Sequence, residues 1–360
     1  MSPTAGQPAM PVRDIAGKPL LAADIGGTHA RLGLVRGMHS GHQMSVLAYH
    51  KYICAEHASL EAIVRDFLDH HASEPVTRGA LACAGYEIDG VVINDNLPWK
   101  VSIEGLRQSL QLDDLALIND FEAVAYATQY LDPTSAMLLS HTDQAARKGP
   151  QVVVGPGTGL GSAVLLPGDP QPTVLATEAG QIALAPGNAL EMEILRVLAS
   201  TDEHVSCEHA LSGPGLTNLY RALCTLEGAT PVQDSPEAIT RAANAGDDPL
   251  ARKALEVFCA MLGSFAGDLA MLYGASGGVW LAGGILPKIR DFLARSAFVE
   301  RFLDKGRMRA FLERVPVRLM EHGQLGVIGA AGWYLDHEGS ISNAPSKKAA
   351  VPGAKPDDRQ

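Results

Sequence analysis

Residues 20–35 read LLAADIGGTHARLGLV, and the rest of the chain is interpreted outward from them. An apolar run, Leu20 to Ala23, ends at the carboxylate Asp24. Gly26, Gly27 and Thr28 follow, and Ala30 to Val35 resumes an apolar pattern around Arg31. Two apolar segments joined by a short glycine turn read as a β-hairpin. Glycine in the turn permits φ > 0 and removes the Cβ, so backbone N–H groups can come close to an anion. Asp24 beside such a turn would repel a bare phosphate. It fits if a divalent cation lies between the two, held through water. A tight turn with a solvated Asp explains the same letters, and a second copy of the pattern shifts the balance.

That copy is residues 151–166, QVVVGPGTGLGSAVLL: an apolar strand, then Gly155, Gly157, Thr158, Gly159 and Gly161, then another apolar strand. It has neither the Lys of a Walker loop nor the GxGxxG spacing of a dinucleotide fold. Two such hairpins imply a duplicated architecture whose halves face each other, with room for a phosphate chain between the turns.

Between the hairpins, residues 44–53 and 79–84 read as strands, as does the shorter 91–93. Residues 59–70 have helical apolar spacing, with Ser59 as N-cap. Asn94 opens a polar loop closed by Pro98 and Trp99. Residues 114–119 (DLALIN) form a buried strand and 121–130 a helix, which puts Asp120 at a strand's C-terminal end. Ligands of open α/β sheets collect at that edge. Asp120 could equally do no more than cap the helix.

After the second hairpin, a strand over 173–176 leads to Glu178-Ala179-Gly180-Gln181, and a helix follows over 189–198. HVSCEH (204–209), preceded by Glu203, places His204, Glu208 and His209 together, but no third partner with a recognised ligand spacing is near. Residues 212–223 read as a Gly-Pro-Gly turn opening a helix, and 236–245 and 249–273 are helical. A strand over 277–285 ends at Gly283-Gly284, before a helix over 286–294. A last strand spans 315–319, a small-residue helix spans 325–334, and a disordered tail follows. Residues 1–18 read as a flexible leader.

The chain has 360 residues, 46% hydrophobic and 19% charged, as ordinary globular proteins do. Its net charge of −11 argues against nucleic acid or an anionic membrane surface as the main partner. Five scattered cysteines without a CxxC pair fit reduced thiols. No unbroken apolar run reaches the roughly 18 residues of a membrane span. The expectation is a soluble cytoplasmic protein.

Taken together, LLAADIGGTHARLGLV, LALINDFEAVAYA, VVVGPGTGLGSAVLL, CEHALSGPGLTNLYRAL, GGVWLAGGILPKI and LGVIGAAG resemble the bacterial ATP-dependent glucokinase family. That family lies within the actin, hexokinase and Hsp70 superfamily. The resemblance implies an α/β, duplicated ribonuclease H-like (actin-like ATPase) fold with two domains and a cleft between them. It places residues 19–130 with 321–337 in a small domain, 131–320 in a large one, and 338–360 in a disordered tail. It implies a kinase that moves the ATP γ-phosphoryl to the 6-hydroxyl of glucose, the first step of glycolysis.

The resemblance also implies roles. Asp120 matches the general base, and Asn119, Glu178, Gln181, Glu208 and Asn94 match the sugar site. Asp24, Gly26, Gly27, Thr28 and Arg31, with Gly157, Thr158 and Gly159, match the phosphate turns, Asp24 holding Mg²⁺ through water. Gly283 and Gly284 match the adenosine pocket. A homodimer is the default oligomer. One departure stands out: the family's Glu-Gly-Gly-His loop is here Glu178-Ala179-Gly180-Gln181. A kinase for another hexose or amino sugar is therefore an alternative, and a sugar-sensing regulatory protein is another.

Overall fold

The computed structural model describes residues 17–37, 44–88, 91–93, 97–140, 142, 148–169, 171–200, 204–321 and 323–341. The first half runs β1 (Leu20–Ile25), β2 (His29–Gly37), β3 (Met44–Ile53), α1 (Leu60–His71), β4 (Arg78–Cys83), β5 (Tyr86–Ile88), β6 (Val91–Ile93), β7 (Val101–Ser102), α2 (Ile103–Ser109), β8 (Asp114–Asn119) and α3 (Asp120–Ala127). The second opens with β9 (Met137–Leu138), β10 (Gln151–Pro156), β11 (Leu160–Leu166) and β12 (Thr173–Thr177). Then come α4 (Ala189–Leu198), α5 (Gly213–Leu226), α6 (Pro236–Ala245), α7 (Pro249–Leu272) and β13 (Gly278–Leu281). It closes with α8 (Arg290–Arg295), α9 (Phe298–Leu303), α10 (Arg309–Leu312), β14 (Val317–Leu319) and α11 (Leu325–Ile341).

The duplication is visible in the sheets. The first has the order β3-β2-β1-β4-β8 and the second β12-β11-β10-β13-β14, with the short β9 added at its edge. In each, two antiparallel pairings lead to a central strand, beyond which two strands run parallel to it. Central strands buried on both faces need continuous apolar runs, which LLAADI and QVVVGP supply.

Strand parity then decides what each face carries. Leu21, Ala23 and Ile25 point into one core with Ile63 and Phe67 of α1. Leu20 and Ala22 point the other way, with Ala116 and Ile118 of β8, onto Val327, Ala330 and Tyr334 of α11. On the second sheet, Val152 and Val154 face the large helical core that includes Phe258 and Leu262 of α7. Val153, Ala163 and Trp280 face Ala125 and Ala127 of α3 and Leu325 and Ile328 of α11. Helices α3 and α11 thus form a layer between the two sheets. Being covered on both sides, α11 is apolar nearly all round.

Several expectations shift. The helix expected over 286–294 opens as a 3₁₀ turn, Leu286–Ile289, before α8. β13 is shorter than the 277–285 pattern, and β14 starts after Pro316, which has no N–H to give the ladder. Helix α3 stops at Ala127. By contrast α11 runs on to Ile341, so residues 338–341, expected in a disordered tail, are helical. Its end is anchored where Asp336 accepts hydrogen bonds from Tyr126 (2.5 Å) and Tyr130 (3.3 Å). Elements α2, α9, α10 and β9 are too short to show a pattern of their own. Contrary to the absence of a spanning segment expected above, α7 is long and apolar enough to cross a membrane. However, 72% of its apolar window is buried inside the protein, as in a core helix.

The α3–α11 contact depends on glycine. A Cβ at Gly329 would collide with the Ala123 carbonyl, and one at Gly332 with the Tyr130 ring. Gly329→Ala gains about 1 kcal/mol of helix propensity, but the obstacle is rigid backbone. The clash should win, with a net loss of about 2–3 kcal/mol in urea denaturation. A neutral or stabilised variant would contradict this packing.

Candidate active site

The turn of the first hairpin closes with Gly26 N–H donating to the His29 carbonyl at 3.0 Å. A residue with no local sequence signal supports it. Cys54 donates its N–H to the Thr28 carbonyl (2.9 Å) and its thiol to the Gly26 carbonyl (3.4 Å). Thr28 is exposed and Gly27 half-buried. Asp24 follows the parity of Leu20 and Ala22, so its carboxylate faces α11. There Oδ2 accepts from Arg31 Nη1 at 3.1 Å. Its side chain is 22% exposed. Burial raises the Asp24 carboxyl above its usual pKa, against the opposing pull of Arg31.

Two strands away, β8 ends in Asn119, in register with Cys83 of β4 and, through it, with Ile25 of β1. The capping question resolves here. Asn119 is the N-cap of α3, its Oδ1 accepting from Phe121 N (2.9 Å) and Glu122 N (3.1 Å). Asp120 is the first helical residue, and its Oδ1 accepts from the Phe121 N–H at 2.9 Å. Its carboxyl is pushed up to about 6. Burial is the main cause and the charge of Asp24 the next; Glu178 adds a smaller push, while backbone N–H groups oppose it. The three acids therefore share one neighbourhood.

The second hairpin is brought to the same place by Phe121. A Cβ at Gly155 would fall 2.6 Å from Phe121 Cζ, and one at Gly161 would enter the ring. These two glycines let the residue beside Asp120 pack directly against the hairpin backbone. Its turn closes by Gly157 N–H to the Gly159 carbonyl, and the Gly157 carbonyl accepts from Gly213 at the start of α5 (both 2.8 Å). Thr158 is exposed. Gly283 has φ +91° and would press any Cβ onto the Pro156 carbonyl, whereas Gly284 faces open space. So the Gly283-Gly284 turn adjoins the hairpin.

Glu208 joins the hairpin to the Glu178 loop. Its Oε2 accepts from Leu160 N (2.7 Å) and its Oε1 from Gln181 Nε2 (3.1 Å). A Cβ at Gly159 would fall 2.6 Å from Oε2. The loop is a 3₁₀ turn closed by Gln181 N–H to the Glu178 carbonyl (2.9 Å), and His204 Nε2 bonds the Gln181 carbonyl (2.8 Å). Ala179 does not have positive φ, so its methyl group adds no backbone strain. His209 Nδ1 is paired with Ser206. Among the described residues no three His, Cys, Asp or Glu side chains are grouped to hold a metal directly. Glu203 and Asn94 lie outside the described residues.

A family model described as Glucokinase matches residues 21–337. A "Glucokinase-like protein" of Xylella fastidiosa is 50% identical over 330 residues, covering 91% of this chain and 98% of its own. The glucokinase of Nitrobacter hamburgensis is 41% identical over 317 residues, covering 87% and 96%. Among solved structures, a glucokinase from an Antarctic psychrotroph superposes with a TM-score of 0.80 at 37% identity, over 89% of this chain and all of the other. The glucokinase of Balamuthia mandrillaris, solved with glucose, shares the fold at 24% identity, with a TM-score of 0.68 over 89% and 94% of the two chains.

The raised Asp120 carboxyl has a consequence for stability. Its folded pKa, about 6, lies above the unfolded value of about 4, so the folded state holds the proton more tightly. That contribution is complete below pH ~4 and is lost as pH rises through ~6. Asp120→Asn removes the loss. The variant should be more stable than the parent at pH 7, by about 1–3 kcal/mol, and the gap should close by pH ~4. Denaturation at both pH values measures it, and a gap independent of pH would contradict the assignment.

Proposed function

This chain belongs to the glucokinase family, and on that premise we infer that it phosphorylates glucose at the 6-hydroxyl with ATP, Asp120 serving as general base. The observation that carries this reading is Asp120 itself, relieved of capping by Asn119 and raised by burial to about 6. At neutral pH such a carboxyl is largely ionised, yet close enough to the working pH to accept a proton as the hydroxyl attacks.

In this reading the two sheets belong to two domains, residues 19–130 with 321–337 and residues 131–320, and the substrates lie in the cleft between them. Glu178 and Glu208 accept hydrogen bonds from sugar hydroxyls, and Asn119 keeps its amide NH₂ as a donor while its Oδ1 caps α3. The turns at Gly26-Gly27-Thr28 and Gly157-Thr158-Gly159 offer N–H groups to the phosphates, with Arg31 adding charge. Gly283 and Gly284 admit the adenosine. Asp24 suits Mg²⁺ held through water: it is a hard oxygen donor beside a second carboxylate, and Mg²⁺ usually takes one or two carboxylates plus phosphates. Bound there, the ion would neutralise charge developing on the phosphoryl group. The protein's own contribution is to orient the hydroxyl, take its proton and exclude water.

A second reading concerns the sugar. Gln181 stands where the family's loop has His, and its amide engages Glu208. A kinase acting on another hexose or an amino sugar keeps the same chemistry with a different pocket edge.

Asp120→Asn should lower kcat by about 10²–10⁴-fold in a coupled ATP/glucose assay, with glucose binding retained by calorimetry. Near-parental kcat would remove Asp120 from the role. Comparing kcat/KM for glucose, mannose, fructose, glucosamine and N-acetylmannosamine, before and after Gln181→His, tests the sugar. Glucose should lead the parent's ranking; another sugar leading would establish the second reading.

A further inference from the structure

Gly326 lies in the first turn of α11, directly over Asp24. A Cβ built there would fall 2.6 Å from both Cβ and Cγ of Asp24. It would also lie 2.9 Å from Oδ2, the oxygen that accepts from Arg31. The other close glycines of this helix face different partners: Gly329 the Ala123 carbonyl, and Gly332 the Tyr130 ring. Gly323, just before the helix, has nothing within 4 Å of its notional Cβ. One helix thus touches Asp24 at one point and, a turn further on, the helix that begins with Asp120.

We propose that Gly326 is a positioning residue for phosphoryl transfer: by lacking a Cβ, it lets Asp24 stand against α11, bonded to Arg31, at a fixed distance from Asp120. This rests on the assignment of Asp24 to the metal–phosphate turn made above. A methyl group at 326 would meet the root of the Asp24 side chain, so rotating a flexible tip cannot relieve it. Either Asp24 swings off Arg31 or the start of α11 lifts. Lifting α11 also disturbs α3, because Gly329 packs against the Ala123 backbone of that helix and Gly332 against the Tyr130 ring just beyond it. Both responses change the spacing of the two aspartates, and a shift of about 1 Å in such a group can cost 10²-fold in rate.

The test uses the full chain as wild type, Gly326→Ala, Asp24→Gly and the double variant, with Gly323→Ala as control. Gly326→Ala should lower kcat/KM for Mg·ATP by about 10–100-fold while glucose affinity, by calorimetry, stays within about twofold. A merely structural fault would weaken both. Gly323→Ala should match wild type.

Thermal melting provides a readout independent of turnover. Gly326→Ala should lower Tm when Asp24 is present and leave it unchanged or raised in the Asp24→Gly background, where both the Cβ and Cγ that the methyl group would meet are gone. Equal losses in both backgrounds, or parallel changes in glucose binding and Mg·ATP kinetics, or no kinetic change, would overturn the proposal. If Gly326→Ala alone fails to fold, folding of the double variant supports the proposal and its failure overturns it. Absence of glucose turnover in the wild type would instead defeat the kinase reading, while the melting cycle still reports on the contact.

Discussion

The approach of α11 to α3 is the constraint on which the rest of the structure depends. At Gly329 it is close enough that a single methyl group would strike the Ala123 carbonyl. The two helices share a layer covered by one sheet on each side. Because Asp120 starts α3 and Asp24 lies under the first turn of α11, this layer holds both acids. Two glycines of β10 and β11 dock the second hairpin on Phe121, next in sequence to Asp120. Close packing of this kind transmits displacement, since interiors have few voids to absorb it.

The electrostatics of the site are unfavourable in the isolated chain. Asp24 and Glu178 both push on the carboxyl of the half-buried Asp120, and Arg31 is bonded to Asp24. Such arrangements cost stability and recur at functional sites, where a ligand's charge completes them. Glu208 adds a link of another kind, joining the backbone beside the second glycine turn to the side chain of Gln181. One carboxylate therefore ties the second glycine turn to the Glu178 loop.

Much of this was legible in the letters. The glycine hairpins, the strand ending at Asn119 and the helix over 189–198 stand where periodicity and turn chemistry put them. Their signals are local, set by neighbours a few residues away. The misplacements have identifiable physical causes. Helix α11 was expected to end early because polar residues follow Tyr334, yet Asp336 is satisfied by two tyrosines from α3 and the segment just beyond it. Cys54 showed no signal because its partners, Gly26 and Thr28, lie far away in the chain. The change from Gly to Ala at 179, open in the sequence, adds no backbone strain because the backbone there does not have positive φ.

From sequence alone came the kind and order of the elements, their duplication, the family and the identity of the acids, all carried by short patterns and matching motifs. Tertiary structure alone decided which of Asn119 and Asp120 caps α3, how burial and Asp24 raise Asp120, and how closely position 326 approaches Asp24. The last two depend on groups far apart in the chain, and Coulomb and contact forces act on distance in space, whatever the separation along the chain.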